Sequence, residues 1–460
     1  MAFLERTFKL SEHQTTVNQE LRGGATTFMT MSYIVFVQPA ILSAAGMPGS
    51  AVMVATCIAS AAACLMMAFS ANYPIALAPA MGHNAFFAFT VCGLVANGGL
   101  GYTWQQALAA TFISGALFIA LALFGFRERL LNAVPACLKH GIAVGIGLLI
   151  ALIGLEWSGL VVANPATYIA RGDLGSPAVI VSMSGLLVMS ILLVLEVPGA
   201  LLIGLFVTAL IAWPLGIVKL PDPTQLAQLP HSLRETLFQL DFSGLLDKGL
   251  ASLLAVVFVF FFLDLFDTIG TLIGVADQAG FLDEQGRLPR ARGALFADAV
   301  GTVVGACLGT STVTSYIESS AGVASGARTG LANLMTAFLF IFAIFFYPIV
   351  ATVAASYQIA PEVFIHPVIA PVLILVGMYM MRGVKKIAWD DLTEALPAFL
   401  ALVLMPLTFS ITEGIAVGFI SYSLLKVMRG RADEAHWMIH AFGVLFLVRY
   451  ALLGAGVIQG

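Results

Sequence analysis

Long apolar stretches recur along most of this chain, and they limit its possible folds more than any other feature. A helix that spans a bilayer needs about 20 apolar residues. Windows of that kind lie at 22–45, 51–71, 105–126, 136–154, 178–196, 199–217, 250–275, 291–308, 328–354, 362–381, 392–410 and 412–428. Only 10% of the 460 residues are charged, against about 25% in soluble proteins. The chain must therefore use lipid as its solvent, and we predict an all-α integral membrane protein.

Two further apolar stretches are interrupted, and each is counted as one crossing. Residues 75–97 contain Pro79, and residues 309–327 contain a run of Ser, Thr and Val, so neither favours a continuous helix. With these two stretches the chain has fourteen predicted crossings, and both ends of the main bundle lie on the same side. The last apolar segment, within residues 434–460, is expected either to lie at the membrane interface or to add a fifteenth crossing.

The distribution of basic residues supports this count. If the N-terminus is cytoplasmic, sixteen Lys and Arg residues fall on the inside and only four on the outside, as expected from the excess of Lys and Arg in cytoplasmic loops. The inside residues are Arg6, Lys9, Arg22, Arg127, Arg129, Lys139, Arg287, Arg290, Arg292, Arg328, Arg382, Lys385, Lys386, Lys426, Arg429 and Arg431. The outside residues are Arg171, Lys219, Arg234 and Lys248. We predict cytoplasmic termini, and the compact loops suggest a bacterial inner-membrane protein.

The longest polar insertion, residues 218–249, follows the seventh crossing and divides the chain into two halves. An odd number of crossings per half inverts the second half relative to the first, which is the pattern of an inverted-repeat transporter. The interrupted segments are third in each half. Because non-helical backbone at membrane depth must be surrounded by protein or a cavity, we predict that the two segments pair with each other and frame a substrate site. Two kinked packing helices are the alternative.

Carboxylates inside the predicted crossings are the first candidate site residues. Asp264, Asp267 and Thr271 follow i, i+3, i+7 spacing in the eighth crossing, so we expect them to share one helical face. A carboxylate at the bilayer centre costs a few kcal/mol and must face the bundle interior. We interpret Asp267 and Thr271 as a binding and proton-coupling face, with Asp264 either part of it or a structural carboxylate. Thr27, in the first crossing, is either a substrate contact or a hydroxyl bonded to its own helix.

Each interrupted segment also places a polar group near its break. Glu318, with Ser319 beside it, precedes a half-helix in the tenth crossing, where its carboxylate could accept hydrogen bonds from ring N–H groups. Asn84 occupies the corresponding position in the third crossing. Its neighbour His83 is either a ligand or a satisfied core histidine, and Phe86 would either stack on a substrate ring or simply pack.

Other chemistry has little support in the sequence. The cysteines lie in apolar or small-residue surroundings without metal-ligand spacing, so we expect no disulfide, no metal and no cofactor. Asp264 and Asp267 could in principle perform acid–base work. However, we find no nucleophile motif, metal cluster or glycine-rich phosphate loop with Lys to accompany them. An enzyme is therefore not expected.

Several stretches resemble one known family almost from end to end. They are "GGATTFMTMSYIVFVQPAIL", "APAMGHNAFFAFTV", "FVFFFLDLFDTIGTLIGVA", "ALFADAVGTVVGACLGTSTVTSYIESSAGVASGARTGLANL" and "TEGIAVGFISY". They resemble the nucleobase–cation symporter family of the uracil/xanthine permease superfamily, and most of all its AzgA-like branch of adenine, guanine and hypoxanthine permeases. The resemblance implies fourteen crossings in two inverted repeats of seven, with short antiparallel strands in crossings 3 and 10.

The resemblance also implies a division into a core and a gate domain. The implied regions are a cytoplasmic N-terminus at 1–21, core segments at 22–126 and 250–354, gate segments at 136–217 and 362–428, an extracytoplasmic loop at 218–249 and a C-terminal helix within 434–460. The core would move against the gate and carry the site across the membrane.

By the same resemblance, the function would be proton-coupled uptake of hypoxanthine, guanine or adenine, with the proton as coupling ion. By motif position, Glu318 matches the family's tenth-segment substrate carboxylate and Asp267 its eighth-segment acid. Asn84 matches the third-segment asparagine, and Thr27 a first-segment polar position. Asp264 and Glu318 are further candidates for proton coupling. The expected partners are a purine base and membrane lipid but no nucleic acid, and a homodimer is suggested only by the resemblance.

Two departures from the family pattern lie near the expected site. Relatives usually read "GMGLNAYFAY" where this chain has "APAMGHNAFFAF", so His83 replaces a leucine; Gln38 stands in "FVQP" where "FVNP" is usual. Both leave the choice among purines open. The alternative function is an inorganic anion transporter on the same fold, since paired half-helix N-termini suit sulfate or bicarbonate, although Glu318 would repel an anion. A receptor role without transport is a third reading.

Overall fold

The computed structural model describes residues 2–94, 99–124, 134–221, 224, 226–247, 249–283, 288–360 and 363–454, and most of these residues are helical. The helices are α1 Ala2–Phe8, α2 Val17–Met31, α3 Ile34–Ser43, α4 Gly49–Ser70, α5 Met81–Ala85, α6 Trp104–Phe124, α7 Ala136–Trp157, α8 Pro177–Val194, α9 Ala200–Ala212, α10 Phe242–Asp247, α11 Leu250–Ala279, α12 Ala291–Leu308, α13 Ser319–Ala324, α14 Leu331–Ala343, α15 Tyr347–Val353, α16 Ala370–Met380, α17 Leu392–Thr408, α18 Ile411–Met428 and α19 Trp437–Gly454. Four basic residues of the charge prediction, Arg127, Arg129, Lys248 and Arg287, lie outside the described residues.

In the described residues, six short strands form three antiparallel pairs. They are β1 Leu77–Pro79 with β4 Val313–Ser315, β2 Val161–Asn164 with β3 Tyr168–Arg171, and β5 Tyr357–Ala360 with β6 Val363–Ile365. The β2–β3 and β5–β6 pairs are local hairpins. The β1–β4 pair joins two segments that are more than two hundred residues apart in the chain, so it alone among these pairs is a long-range connection.

Nine helical stretches in the described part of the chain are long and apolar enough to cross a membrane. They are Val17–Ser43, Gly49–Ser70, Trp104–Ala122, Ala136–Trp157, Pro177–Val194, Ser252–Ala279, Ala291–Leu308, Leu331–Val353 and Ile411–Met428. Shorter apolar helices cover Ala200–Ala212, Leu392–Thr408 and Trp437–Ala451. The chain is therefore a multi-pass membrane protein, and each of these stretches overlaps an apolar region identified in the sequence. The total of fourteen crossings stays a prediction.

The two interrupted segments contain short strands followed by short helices. In the third segment, β1 leads into α5 and then into a π-helical turn, Phe86–Val91; in the tenth, β4 leads into α13. Leu77 faces Ser315 and Pro79 faces Val313 in the strand register. Pro79 and the β-branched residues of β4 favour this extended backbone over helix.

The helices pack in two groups. In one group α12 packs against α4 and α6, and α14 packs against α2 and α4. In the other, α7 packs against α16, α17 and α18, while α8 packs against α9. Small residues allow the close approaches: a methyl group on Gly24 of α2 would overlap the carbonyl oxygen of Ala332 in α14. This use of small residues is common where helices meet inside membranes.

We predict that Gly24→Ala destabilises the protein, because the backbone of α14 leaves no room for the added methyl group. Overpacking of this kind costs about 1–3 kcal/mol. The matched control is Gly454→Ala, since a methyl group there would meet no neighbouring atom. The apparent melting temperature of detergent-solubilised protein should fall for the first variant only. Equal melting temperatures for Gly24→Ala and the wild type would contradict the observed helix contact.

Candidate functional site

A cavity of about 400 Å³ lies between α5, α7, α11 and the end of α16. Its walls are mainly apolar, and the aromatic rings among them are Phe262 and Phe266 of α11. The polar residues of the wall are His83, Lys139, His140, Asp267 and Thr271. Sites for small molecules are typically concave and apolar with a few placed polar groups. On one side the cavity is bounded by α7 and α16, and on the other by the short helix α5 of the third segment and by α11, which packs against α6.

The carboxylates of α11 do not all face this cavity. Asp267 and Thr271 line it, and Thr314 of β4 donates a hydrogen bond of 3.3 Å to Asp267. Asp264 instead accepts a hydrogen bond of 3.3 Å from Thr302 of α12. The three residues predicted to share one face therefore meet two environments: Asp267 and Thr271 face the cavity, and Asp264 faces α12. Three residues along a helix turn through about 300°, so Asp264 and Asp267 differ in direction by about 60°.

Asp298 of α12 is a buried carboxylate to which the sequence analysis gave no role. It accepts hydrogen bonds from the backbone N–H of Ser315 at 3.0 Å and from the hydroxyl of Thr268 at 2.7 Å. It thereby joins β4 to α11 and α12. The signal was present in the sequence, because an aspartate inside the predicted 291–308 crossing is as costly as one in the eighth.

Glu318 directly precedes α13. It lies beside the cavity but is not one of the described residues that line it. The hydroxyl of Tyr33 donates a hydrogen bond of 2.8 Å to Oε1 of Glu318. Thr30 of α2 donates to the Glu318 carbonyl oxygen at 3.3 Å. The first segment thus holds both the side chain and the backbone of Glu318, and the sequence analysis had not identified Tyr33 as its partner.

Asn84 belongs to a buried network that connects the first, third and tenth segments. Its amide donates to Gln38 and accepts from Ser311, and Gln38 also donates to Thr310 at 2.9 Å. The unusual glutamine noted in the sequence is therefore the residue that bridges these segments. In this conformation the Asn84 amide is engaged by protein groups, and Asn84 is not among the described lining residues of the cavity.

Three other candidates surround the site without lining it. Ser319 accepts a hydrogen bond of 3.0 Å from the backbone N–H of Ala76, which fixes α13 to the segment before β1. Thr27 packs against α13, where its hydroxyl leaves no space for a side chain at Gly322. Phe86 is buried and meets Phe260 edge-on with ring centroids 4.8 Å apart. Of the two readings of Phe86, the observed contact is packing.

Together these observations describe a multi-pass membrane protein with a cavity enclosed by several of its helices. The fold is shared with the transmembrane domain of a cyanobacterium bicarbonate transporter, BicA, at a TM-score of 0.64 and 16% identity over 86% of this chain and 97% of that one. Residues 18–417 match the Permease family, the family of uracil and xanthine permeases, so the chain belongs to this family and is a permease rather than an enzyme.

Two relatives illustrate its place in the family. It is 45% identical to the guanine/hypoxanthine permease PbuO of Bacillus subtilis, over 97% of this chain and 100% of the relative. It is 41% identical to the adenine permease AdeP of Escherichia coli, over 98% of this chain and 97% of the relative. The similarity therefore covers the interrupted segments and the cavity as well as the scaffold.

We predict that Asp298→Ala loosens the tenth segment, because the Ser315 N–H and the Thr268 hydroxyl lose their acceptor. Leaving a buried donor unsatisfied costs about 1–3 kcal/mol. Asp298→Asn is the matched control, since an amide oxygen can still accept from Ser315. Hydrogen exchange at residues 313–315 should speed up strongly for the alanine variant and less for the asparagine variant. The same exchange in both variants and the wild type would contradict a positioning role for Asp298.

Proposed function

We propose that this permease imports purine nucleobases, namely hypoxanthine, guanine or adenine, into the cell together with protons. The observation that carries the proposal is the cavity wall, in which Asp267 and Thr271 lie beside the rings of Phe262 and Phe266. A nucleobase has apolar faces and a polar edge, and this wall offers a partner for each. Relatives along the whole chain carry the names of guanine/hypoxanthine and adenine permeases.

In the proposed complex, aromatic side chains contact the faces of the base and carboxylates accept from its N–H groups. Phe262 and Phe266 supply rings with the geometry for stacked or edge contacts. Asp267 accepts a ring N–H, with Thr271 one helical turn away. Glu318 is proposed to accept another, since a carboxylate has room for more bonds than the one it receives from Tyr33.

Asp267 is our choice for the coupling carboxylate, with Asp264 and Glu318 as further participants. Transport is coupled when proton affinity depends on whether the base is bound and on which way the site faces. Asp267 suits this role because it touches both the cavity and, through Thr314, the strand β4. No metal or other cofactor is part of the proposal; the proton is the coupling ion.

For the transport step we propose an elevator movement of a core against a gate. The core would comprise residues 22–126 and 250–354, and the gate residues 136–217 and 362–428, in fourteen segments of two inverted repeats. The cavity supports this division because α5 and α11 on one side of it belong to the proposed core, and α7 and α16 on the other to the gate. With the predicted cytoplasmic termini in an inner membrane, Lys139 and His140 mark the cytoplasmic end of the cavity. A homodimer stays a prediction.

An inorganic anion transporter is the second candidate. It is supported by the fold shared with the bicarbonate transporter and by the basic residues Lys139 and His140 in the cavity wall. Asp267 in the same wall and Glu318 beside it weigh against it, because a carboxylate facing an anion is unfavourable by several kcal/mol. The purine proposal requires no such contact.

We predict uptake of radiolabelled hypoxanthine in cells that lack their own purine transporters, and loss of that uptake when a protonophore is added. Excess unlabelled hypoxanthine, guanine or adenine should compete, whereas sulfate and bicarbonate should not. Competition by sulfate or bicarbonate without competition by purines would instead support the anion transporter. Purine uptake that is insensitive to the protonophore would contradict the proton coupling alone.

We predict that Glu318→Gln abolishes purine uptake while the protein still reaches the membrane and elutes as a single folded species. The amide keeps the size of the side chain but loses the charge and one acceptor. Glu235→Gln is the control, because Glu235 is exposed in a short 3₁₀ turn, Leu233–Glu235, away from the cavity. Uptake by the Glu318→Gln variant at the wild-type rate would remove Glu318 from the mechanism.

A further inference from the structure

His83 belongs to the third segment, lines the cavity and has a titratable side chain that is fully buried. It lies in α5, directly after β1, and only 1% of its surface is exposed. It lines the cavity together with Asp267 and Thr271. Gly82 beside it approaches Ile146 of α7 closely, and α5 packs against both α7 and α11.

Neither ring nitrogen of His83 has a hydrogen-bond partner among the described residues. Nearly all buried polar groups in folded proteins are paired, because leaving one unpaired is destabilising. The next residue, Asn84, follows the usual rule, because Gln38 and Ser311 engage its amide. An imidazole at the wall of a cavity, without a partner in the described part of the chain, is placed to be paired by the ligand.

The chemistry of the wall indicates which ligand group this is. When it is ionised, a carboxylate such as that of Asp267 only accepts hydrogen bonds, so in that state it suits the N–H groups of a base. It does not suit an exocyclic oxygen, which also only accepts. A neutral imidazole supplies one N–H donor, on whichever nitrogen its surroundings favour, and one acceptor. The His83 side chain is fully buried, and its ring N–H has no hydrogen-bond acceptor among the described residues.

We propose that His83 is a specificity-determining residue that donates a hydrogen bond to the exocyclic oxygen of a 6-oxopurine. This rests on the proposed function and deepens it: the permease prefers hypoxanthine and guanine to adenine, which carries an amino group at that position. With the imidazole N–H facing that position, an exocyclic oxygen accepts from it, whereas an amino group would place one donor against another and leave the buried N–H unpaired.

The test is binding of radiolabelled hypoxanthine to purified full-length protein, with unlabelled hypoxanthine and adenine as competitors. His83→Leu should weaken hypoxanthine binding by about tenfold or more and adenine binding by less than about threefold, so the preference between the bases falls. His83→Asn, which keeps a donor and an acceptor, should retain most of the preference. His231→Leu is the matched control, since His231 packs on Tyr347 at a ring distance of 4.3 Å, outside the cavity lining.

Each outcome decides one of the two proposals. An unchanged preference in His83→Leu overturns the role of His83, as does an equal loss for both bases, which would indicate a structural role. If His83→Leu does not elute as a folded species, His83→Met replaces it under the same criterion. If the wild-type protein binds neither base, the proposed function itself fails; if it binds them and the variants do not change the ratio, only the role of His83 fails.

Discussion

The whole arrangement depends on satisfying backbone hydrogen bonds where two buried segments leave the helical conformation. The protein interior offers no water as a partner there, so each unsatisfied N–H or C=O would cost several kcal/mol. β1 and β4 satisfy each other, and the ends are completed by Ala80 N–H to Thr312 and Tyr316 N–H to Ala76. This pairing brings the third and tenth segments together and leaves short helices directed away from it. The position of the candidate site follows from this pairing, because each interrupted segment supplies the hydrogen-bond partners of the other.

Side chains around the strand pair divide into those that hold it and those that line the cavity. Asp298 fixes β4, Ser319 fixes the approach to β1, and Asn84 with Gln38 ties both to the first segment. Asp267 and Thr271, with the phenylalanine rings of α11, are left to form the wall. Lying in an interrupted segment does not by itself make a residue a substrate contact, because polar groups such as Asn84 and Ser319 hold the segments in place.

The comparison with known proteins separates scaffold from chemistry. A bicarbonate transporter shares the fold at 16% identity, whereas permeases named for guanine, hypoxanthine and adenine share the sequence at above 40%. Fold alone does not fix the substrate; the residues of the site do. In this chain those residues include carboxylates, which disfavour an anion, and His83, whose ring nitrogens have no hydrogen-bond partner among the described residues. The residues of the site support the purine proposal, whereas the anion alternative is supported mainly by the shared fold.

The sequence by itself determined the membrane-protein class, the positions of the apolar segments, the two breaks and the carboxylates, because hydropathy and helix-breaking residues are local properties. It also singled out Asp267, Glu318 and His83. Only the tertiary structure decided that Asp264 turns toward Thr302, that Phe86 packs on Phe260 and that Asn84 is engaged by Gln38. Those outcomes depend on which segments from distant parts of the chain face each other. Spacing gives the angle of about 60° between Asp264 and Asp267, but it does not say which neighbour each side chain meets.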